Sequence, residues 1–297
     1  MDHSGEDERP PVLARLRMPP SVLAALACPH CGGGLGPAGN ALGCAGGHSF
    51  DVAREGYANL LSGRPVAGGG DDREMVRARR EFQEAGHYAP LAARLAEVAA
   101  RHWPGGPVAD IGAGTGYYLR AVLDALPGAE GLAADASKFA LRRAARGHPR
   151  AGAVGCDAWR GLPLRRAAFG LLLNVFAPRN GPEFRRVLRA DGALLVVTPA
   201  PGHLAELRGP LGLIAVDPRK DERLAAGLEP HLEPEHREDV AFGLRLTRPE
   251  AAALAGMTPS ARHVAPGELR DRVAALPAGV EASAAFRLSV YRPGGDA

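Results

Sequence analysis

The run Asp110-Ile111-Gly112-Ala113-Gly114-Thr115-Gly116 constrains this chain more than any other feature. It closes a short apolar stretch, residues 108–111, that reads as a buried strand, and it opens residues 117–126, whose apolar spacing is helical. Glycine at alternate positions lets the chain turn sharply and lets its backbone approach a ligand closely. A strand that enters a helix through such a turn begins a βαβ unit, which requires a parallel neighbour. The spacing also limits the ligand. A dinucleotide fingerprint has its third glycine where this chain has Tyr117, so D-x-G-x-G-x-G suits a nucleoside without a pyrophosphate.

Strand and helix patterns alternate downstream. Strands are predicted over 131–135, 154–157, 171–176 and 193–198, with helices over 138–146 and 182–189. The stretch 171–176 is too apolar to be anything but a central strand. A strand-like 241–246, a helix over 249–256 and a strand over 286–291 follow. This pattern predicts an α/β fold, a doubly wound Rossmann-like sheet with an antiparallel finish. Asp135 ends the second strand about 20 residues past the loop, where a carboxylate accepts hydrogen bonds from ribose hydroxyls. Asp157 ends the third, within reach of an adenine amino group. Acids at the ends of three consecutive strands (Asp110, Asp135 and Asp157), with Gly112, Gly114, Thr115 and Gly116 between them, predict S-adenosylmethionine as the ligand. The sheet is then that of a class I methyltransferase.

A different chemistry is written upstream. Cys28-Pro29-His30-Cys31 and Cys44-Ala45-Gly46-Gly47-His48 bring two close pairs of soft ligands together across a short loop, as a tetrahedral zinc site requires. Cys28, Cys31, Cys44 and His48 are the predicted ligands, with His30 facing outward. The segment is short and glycine-rich, so the metal supplies folding energy that a small core cannot. Four protein ligands make the zinc structural. Cys156 reads as a buried thiol at a strand end.

The 297 residues divide into a disordered acidic tail (1–20), a zinc module (21–61), a linker and helical segment (62–104) and the methyltransferase domain (105–297). The helical segment spans about 72–102 with a break near Gly86. The breakers from Ser62 to Asp71 predict a flexible linker that lets the modules fold separately. Hydrophobic residues make up 46% and charged residues 23%, which excludes global disorder. No apolar run reaches the roughly 20 residues of a membrane helix, and residues 1–17 do not resemble a signal peptide, so a cytoplasmic protein is expected.

The order of these features resembles the bacterial 23S rRNA (guanine-N1)-methyltransferases, nearest the branch conferring resistance to tylosin-type macrolides. The likeness rests on Cys28-Pro29-His30-Cys31, on His48 to Asp51 leading into Arg54-Glu55-Gly56-Tyr57, and on Ala85-Gly86-His87-Tyr88. It continues through Asp110 to Tyr118 and Thr198-Pro199-Ala200-Pro201-Gly202-His203-Leu204, and it covers the chain from about Leu26 onward. The resemblance implies a homodimer and a guanine target in a domain II hairpin lining the peptide exit tunnel. It also implies that Tyr88 and His203 belong to the cofactor pocket. The run from Asn174 to Arg179 departs from the family, and its asparagine is similar to that of amino-methylating enzymes. No general base is named by the sequence.

The net charge is +3, which permits RNA binding without arguing for it. Lysine occurs only at Lys138 and Lys220, so phosphate contacts fall to arginine. Three groups are candidates: Arg73, Arg77, Arg79 and Arg80; Arg142, Arg143 and Arg146; Arg179, Arg185, Arg186 and Arg189. A small-molecule methyltransferase would share the cofactor loop but has no need of a zinc module. A non-catalytic, cofactor-sensing RNA binder has no need of an intact loop with its acids.

Overall fold

The computed structural model describes residues 11–61, 63, 70–215, 217, 219–258, 260 and 264–294. The linker expected over 62–71 lies mostly outside the described residues, as do residues 1–10.

Eight strands form one sheet. β5 (Val108–Ile111), β6 (Gly131–Asp135), β7 (Ala151–Gly155), β8 (Phe169–Val175) and β9 (Leu188–Pro199) are parallel, in the order β7-β6-β5-β8-β9. β11 (Gly279–Pro293) lies antiparallel to β9, and β10 (Leu232–Thr247) closes that edge antiparallel to β11. Every residue of β5, β7 and β8 is buried, as strands covered on both faces must be. The strand order reverses at β5, between β6 and β8, so the crevice at the carboxyl ends of these strands is where an α/β sheet binds its ligand.

The helices expected from periodicity form: α3 (Arg73–Glu84), α4 (Ala89–His102), α5 (Tyr117–Ala125), α6 (Lys138–Ala144), α7 (Gly181–Val187) and α10 (Arg248–Gly256). The break near Gly86 separates α3 from α4, with Gly86 at φ +82°. Helices α8 (Ala205–Leu211), α9 (Lys220–Leu228) and α11 (Pro266–Ala274) and the first half of β10 were not expected. Among the described residues, no helix is long and apolar enough to cross a membrane.

The N-terminal module consists of a three-stranded antiparallel sheet, β1 (Gly36–Ala38), β2 (Ala41–Gly43) and β3 (Ser49–Asp51), followed by β4 (Ala58–Asn59). β4 is the eighth strand of the large sheet: it pairs parallel with β7, Ala58 opposite Val154 and Asn59 opposite Gly155. The segment before the cysteines is tied down as well. Ala27 N–H donates to Pro163 (2.8 Å) and Arg165 N–H to Ala25 (2.8 Å). One core runs across the junction, holding Leu26, Leu42 and Phe50 together with Ile111, Leu132, Val154 and Leu164. The expectation of separately folding modules is therefore corrected: the zinc module shares its hydrophobic core and a sheet edge with the larger domain. The disordered tail is corrected too, over residues 11–20. There α1 (Pro11–Leu16) buries Val12 and Leu16, two apolar residues four apart that the surrounding prolines and charges mask in the sequence.

Candidate functional site

The glycine loop leaves β5 and enters α5 through three left-handed residues: Gly112 at φ +81°, Gly114 at +55° and Gly116 at +79°. At Gly112 a side chain is excluded twice over, because a Cβ there would stand 2.3 Å from that of Ala177. Asp135 holds the loop open. Its carboxylate accepts from Gly114 N–H (2.8 Å) and from Ser137 N–H (2.7 Å), tying the loop to the start of α6. Burial raises the Asp135 carboxyl above its ordinary range, against the lowering by those two amides.

Asp110, Gly112, Gly114, Asp135 and Asp157 line one cavity of about 180 Å3 at the switch point. Asp110 is buried and neither of its oxygens has a partner among the described residues. Burial and then the charge of Asp135 push its carboxyl up to about 8. Asp71 contributes a fourth carboxylate to the lining. An anionic pyrophosphate would meet all four. S-adenosylmethionine carries a sulfonium and an ammonium, so an unpartnered buried carboxylate in an acidic cavity fits it.

Sequence reasoning missed much of the wall. Gly70 and Asp71 form a roof against α6, where Ser137 Oγ donates to the Asp71 carbonyl (2.5 Å). Arg79 was one of the arginine candidates for RNA phosphate. It turns inward instead, pairing with Asp71 (2.5 Å) and donating to the Met257 carbonyl (3.1 Å). Gln83 also lines the cavity and accepts from Thr115 Oγ (2.8 Å). Its signal was a polar residue on the face of α3 that buries Met75, Val76 and Phe82. Trp159 and Phe176 complete the walls; Trp159 lies two residues after Asp157, and Phe176 sits at φ +56° where the apolar strand ends.

The other expected residues lie outside this lining. Thr115 faces a second groove, and Gly116 packs against Ala144. Tyr88 and His203 come together, Tyr88 Oη lying 3.5 Å from His203 Nε2, in a ring cluster with Phe82 and Phe286. Asn174 is buried, and its amide donates to the carbonyls of Ile111 (3.1 Å) and Pro178 (2.8 Å). It fastens the turn after β8 to β5, and it does not line the cavity. Cys156, by contrast, does line the cavity and is buried as expected; burial, then Asp135 and Asp157, push its thiol up to about 12.

In the N-terminal module, the donor atoms of Cys28, Cys31, Cys44 and His48 all lie within 4.8 Å of one another. Cys31 and Cys44 sulfurs are 3.6 Å apart, and His48 Nδ1 lies 3.6 Å from Cys28 and 3.4 Å from Cys44. A tetrahedral zinc with bonds of about 2.3 Å to sulfur separates its sulfurs by about 3.8 Å, so the donor set fits. Turns at both pairs aim the ligands: Gly32 N–H donates to the Cys28 carbonyl (2.8 Å) and Gly47 N–H to that of Cys44 (3.0 Å). His30 N–H donates to Cys28 Sγ (3.4 Å), and its ring stacks on Phe50 beside the site. With four protein donors and no open position, the zinc is structural.

Residues 26–66 match the family model described as the RlmA N-terminal zinc ribbon. The 23S rRNA (guanine(748)-N(1))-methyltransferase of Streptomyces fradiae is 48% identical over 276 residues, 92% of this chain and 98% of its own. A protein of Micromonospora griseorubida named for the same guanine-N1 activity is 55% identical over 295 residues, 93% of this chain and all of its own. Among solved structures, the YcgJ protein of Bacillus subtilis is 20% identical with a TM-score of 0.46, covering 68% of this chain and 98% of that one. The chain belongs to the 23S rRNA (guanine-N1)-methyltransferases, a family of S-adenosylmethionine-dependent enzymes.

Proposed function

We propose that this enzyme methylates N1 of the guanine equivalent to position 748, in the domain II hairpin of 23S rRNA, and so protects the ribosome from tylosin-type macrolides. The observation that carries the reading is the zinc ribbon built into the edge of the methyltransferase sheet, in a chain 48% identical along nearly its whole length to the Streptomyces fradiae enzyme. A small-molecule methyltransferase has no use for that addition.

In the pocket, Asp135 receives the ribose hydroxyls, Asp157 the adenine amino group, and Asp110 the cationic end of the cofactor. S-adenosylmethionine supplies an electrophilic methyl group. The chemistry it would supply is transfer of that methyl from sulfur to N1, with the N1 proton passing to solvent or to a base. The chain's task is to hold the guanine, extruded from its stack, in line with that bond. Tyr88 and His203 support the pocket wall from behind. The resemblance also implies a cytoplasmic homodimer, which light scattering tests.

A methyl on N1 blocks base pairing and halts reverse transcriptase. Ribosomal RNA treated with enzyme and cofactor is expected to give a new stop at this guanine. A stop at a neighbouring guanine changes the position and keeps the chemistry, and no stop anywhere in the hairpin removes the reading.

A further inference from the structure

We infer that a groove formed by α3, α5 and α6 binds the phosphate backbone of the RNA that carries the target guanine. This rests on the rRNA reading above and assigns it a surface. Three arginine groups were candidates in the sequence, and the structure separates them. In the group around α7, Arg179 is half-buried, Arg185 donates to the Gly294 carbonyl (3.4 Å), and the other two are engaged at home. Arg186 pairs with Glu183 (2.6 Å) and donates to the carbonyls of Leu162 and Leu164, and Arg189 pairs with Asp191 (2.7 Å). Arg79 belongs to the cofactor roof.

The remaining two groups converge. Arg73, Arg77 and Arg80 project from α3 at helical spacing, and Arg142, Arg143 and Arg146 face them from α6 and its end. Arg120 of α5 adds a seventh cation, in a groove of about 640 Å3 that includes only two acids, Glu55 and Glu84. Some of the charge is balanced: Arg77 pairs with Glu74 (2.7 Å), Arg80 approaches Glu84 (3.9 Å) and Arg142 approaches Glu55 (3.3 Å). Among the described residues, no carboxylate is within ion-pair reach of Arg73, Arg120, Arg143 or Arg146. Like charges gathered without counter-charge repel one another, and a polyanion relieves that repulsion.

The groove has a second character that an acidic protein surface would not need. Phe139 lies under three cations, with Arg73 and Lys138 each 5.3 Å and Arg142 5.8 Å from its ring centre. Arg120 sits 5.6 Å from the ring of Tyr117. Rings interleaved with guanidinium planes form a stacking platform for bases, beside forks that hold phosphate oxygens. Position agrees with this chemistry. Gln83 and Thr115, joined by a hydrogen bond, line this groove, and Gln83 also lines the cofactor cavity, so an RNA lying here is one side chain from the pocket. The zinc module reaches it through Glu55.

The test is hairpin RNA binding by fluorescence anisotropy across about 50 to 200 mM salt. Arg73→Glu with Arg143→Glu should weaken binding about a hundredfold or more and lower the slope of log affinity against log salt by about 1–2. Affinity for S-adenosylmethionine should not change. Arg245→Glu, on the exposed edge strand β10, is the control and should alter RNA binding less than about twofold. If the reversed pair loses its fold, Arg73→Gln with Arg143→Gln decides the matter in the same direction with a smaller effect. Wild-type slope and affinity in either folded variant overturn the groove, including the case where methylation falls only on whole ribosomes, which would hand the surface to an acidic protein. A wild-type enzyme that neither binds nor methylates the hairpin instead overturns the rRNA reading itself.

Discussion

Asp135 ends β6, Asp110 stands one residue before the end of the adjacent parallel β5, and the charge of Asp135 helps to keep Asp110 protonated. The two acids are satisfied unequally. Asp135 accepts from two backbone amides, whereas neither oxygen of Asp110 has a partner among the described residues. A carboxyl raised to about 8 binds its proton more tightly in the folded chain than in the unfolded one, so folding stability from this group falls as pH rises from the ordinary carboxylate range to 8. A cationic cofactor reverses the preference and expels the proton. If Asp110 meets the positive charge, binding at neutral pH should release a proton, and affinity should rise with pH toward about 8. Calorimetry in buffers of different ionisation enthalpy measures the release. Asp110→Asn should abolish it, and a wild-type enzyme with no release would mean that Asp110 does not face the positive charge.

Asp135→Ala removes an acceptor from Gly114 N–H and Ser137 N–H and, in the proposed pocket, from the ribose as well. Hydrogen bonds to a charged group are worth about 1.5–3 kcal/mol each, so cofactor affinity should fall at least about tenfold and the melting temperature should drop with it. The fold should survive, since the buried strands do not depend on this side chain. An unchanged dissociation constant would place the ribose elsewhere.

The glycine loop, the acids around it and the metal-ligand pairs were legible in the sequence, for physical reasons. The cofactor loop and its acids are local: one strand, one turn and one helix set their geometry, and strand ends mark the acids. The zinc ligands are equally local. Polar edges were not legible. The first half of β10 carries Glu233, Glu235, Arg237, Glu238 and Asp239, which read as loop because an edge strand is held by its neighbour and protected by charge. Glu238 meets Arg94 (2.6 Å) and Asp239 meets Arg287 (2.8 Å), both far away in sequence. Tertiary contact also decided Arg79, whose partner Asp71 lies in a segment composed like a linker.

The shared core changes what zinc loss should do. Cys28 is buried in the cluster that holds Leu26, Val154 and Leu164, and β4 covers the edge of β7. Partial burial raises the Cys44 thiol, but hydrogen bonds from His48, Cys31 and Cys28 outweigh it and bring it to about 6, ready to bind metal as thiolate. Freshly purified protein should hold one zinc per chain. Cys44→Ser should lower the melting temperature of the whole protein in a single transition and weaken cofactor binding with it. Two separate calorimetric transitions, the later one at the wild-type temperature, would show that the junction carries no energy.

His203 offers the sharpest contrast between a positioning residue and a base. Its Nδ1 accepts from Ala285 N–H (3.2 Å), which leaves the proton on Nε2, facing Tyr88. Burial, then the charges of Arg208 and Lys220, pull the imidazole down to about 4, so it is neutral at physiological pH with its lone pair already occupied. Such a ring is a poor acceptor for the N1 proton of guanine. Between pH 4 and about 6.5 the unfolded chain binds a proton here that the folded chain does not, so stability should rise with pH across that window and be lost toward acid. His203→Asn keeps an acceptor for Ala285 N–H and removes the titration. It should flatten the acid limb of the stability curve while kcat stays within about threefold of wild type, because a general base contributes about 10²–10⁴ in rate and a wall residue does not. A hundredfold loss of kcat with intact cofactor binding, together with the disappearance of a pKa from the pH–rate profile, would instead make His203 the base.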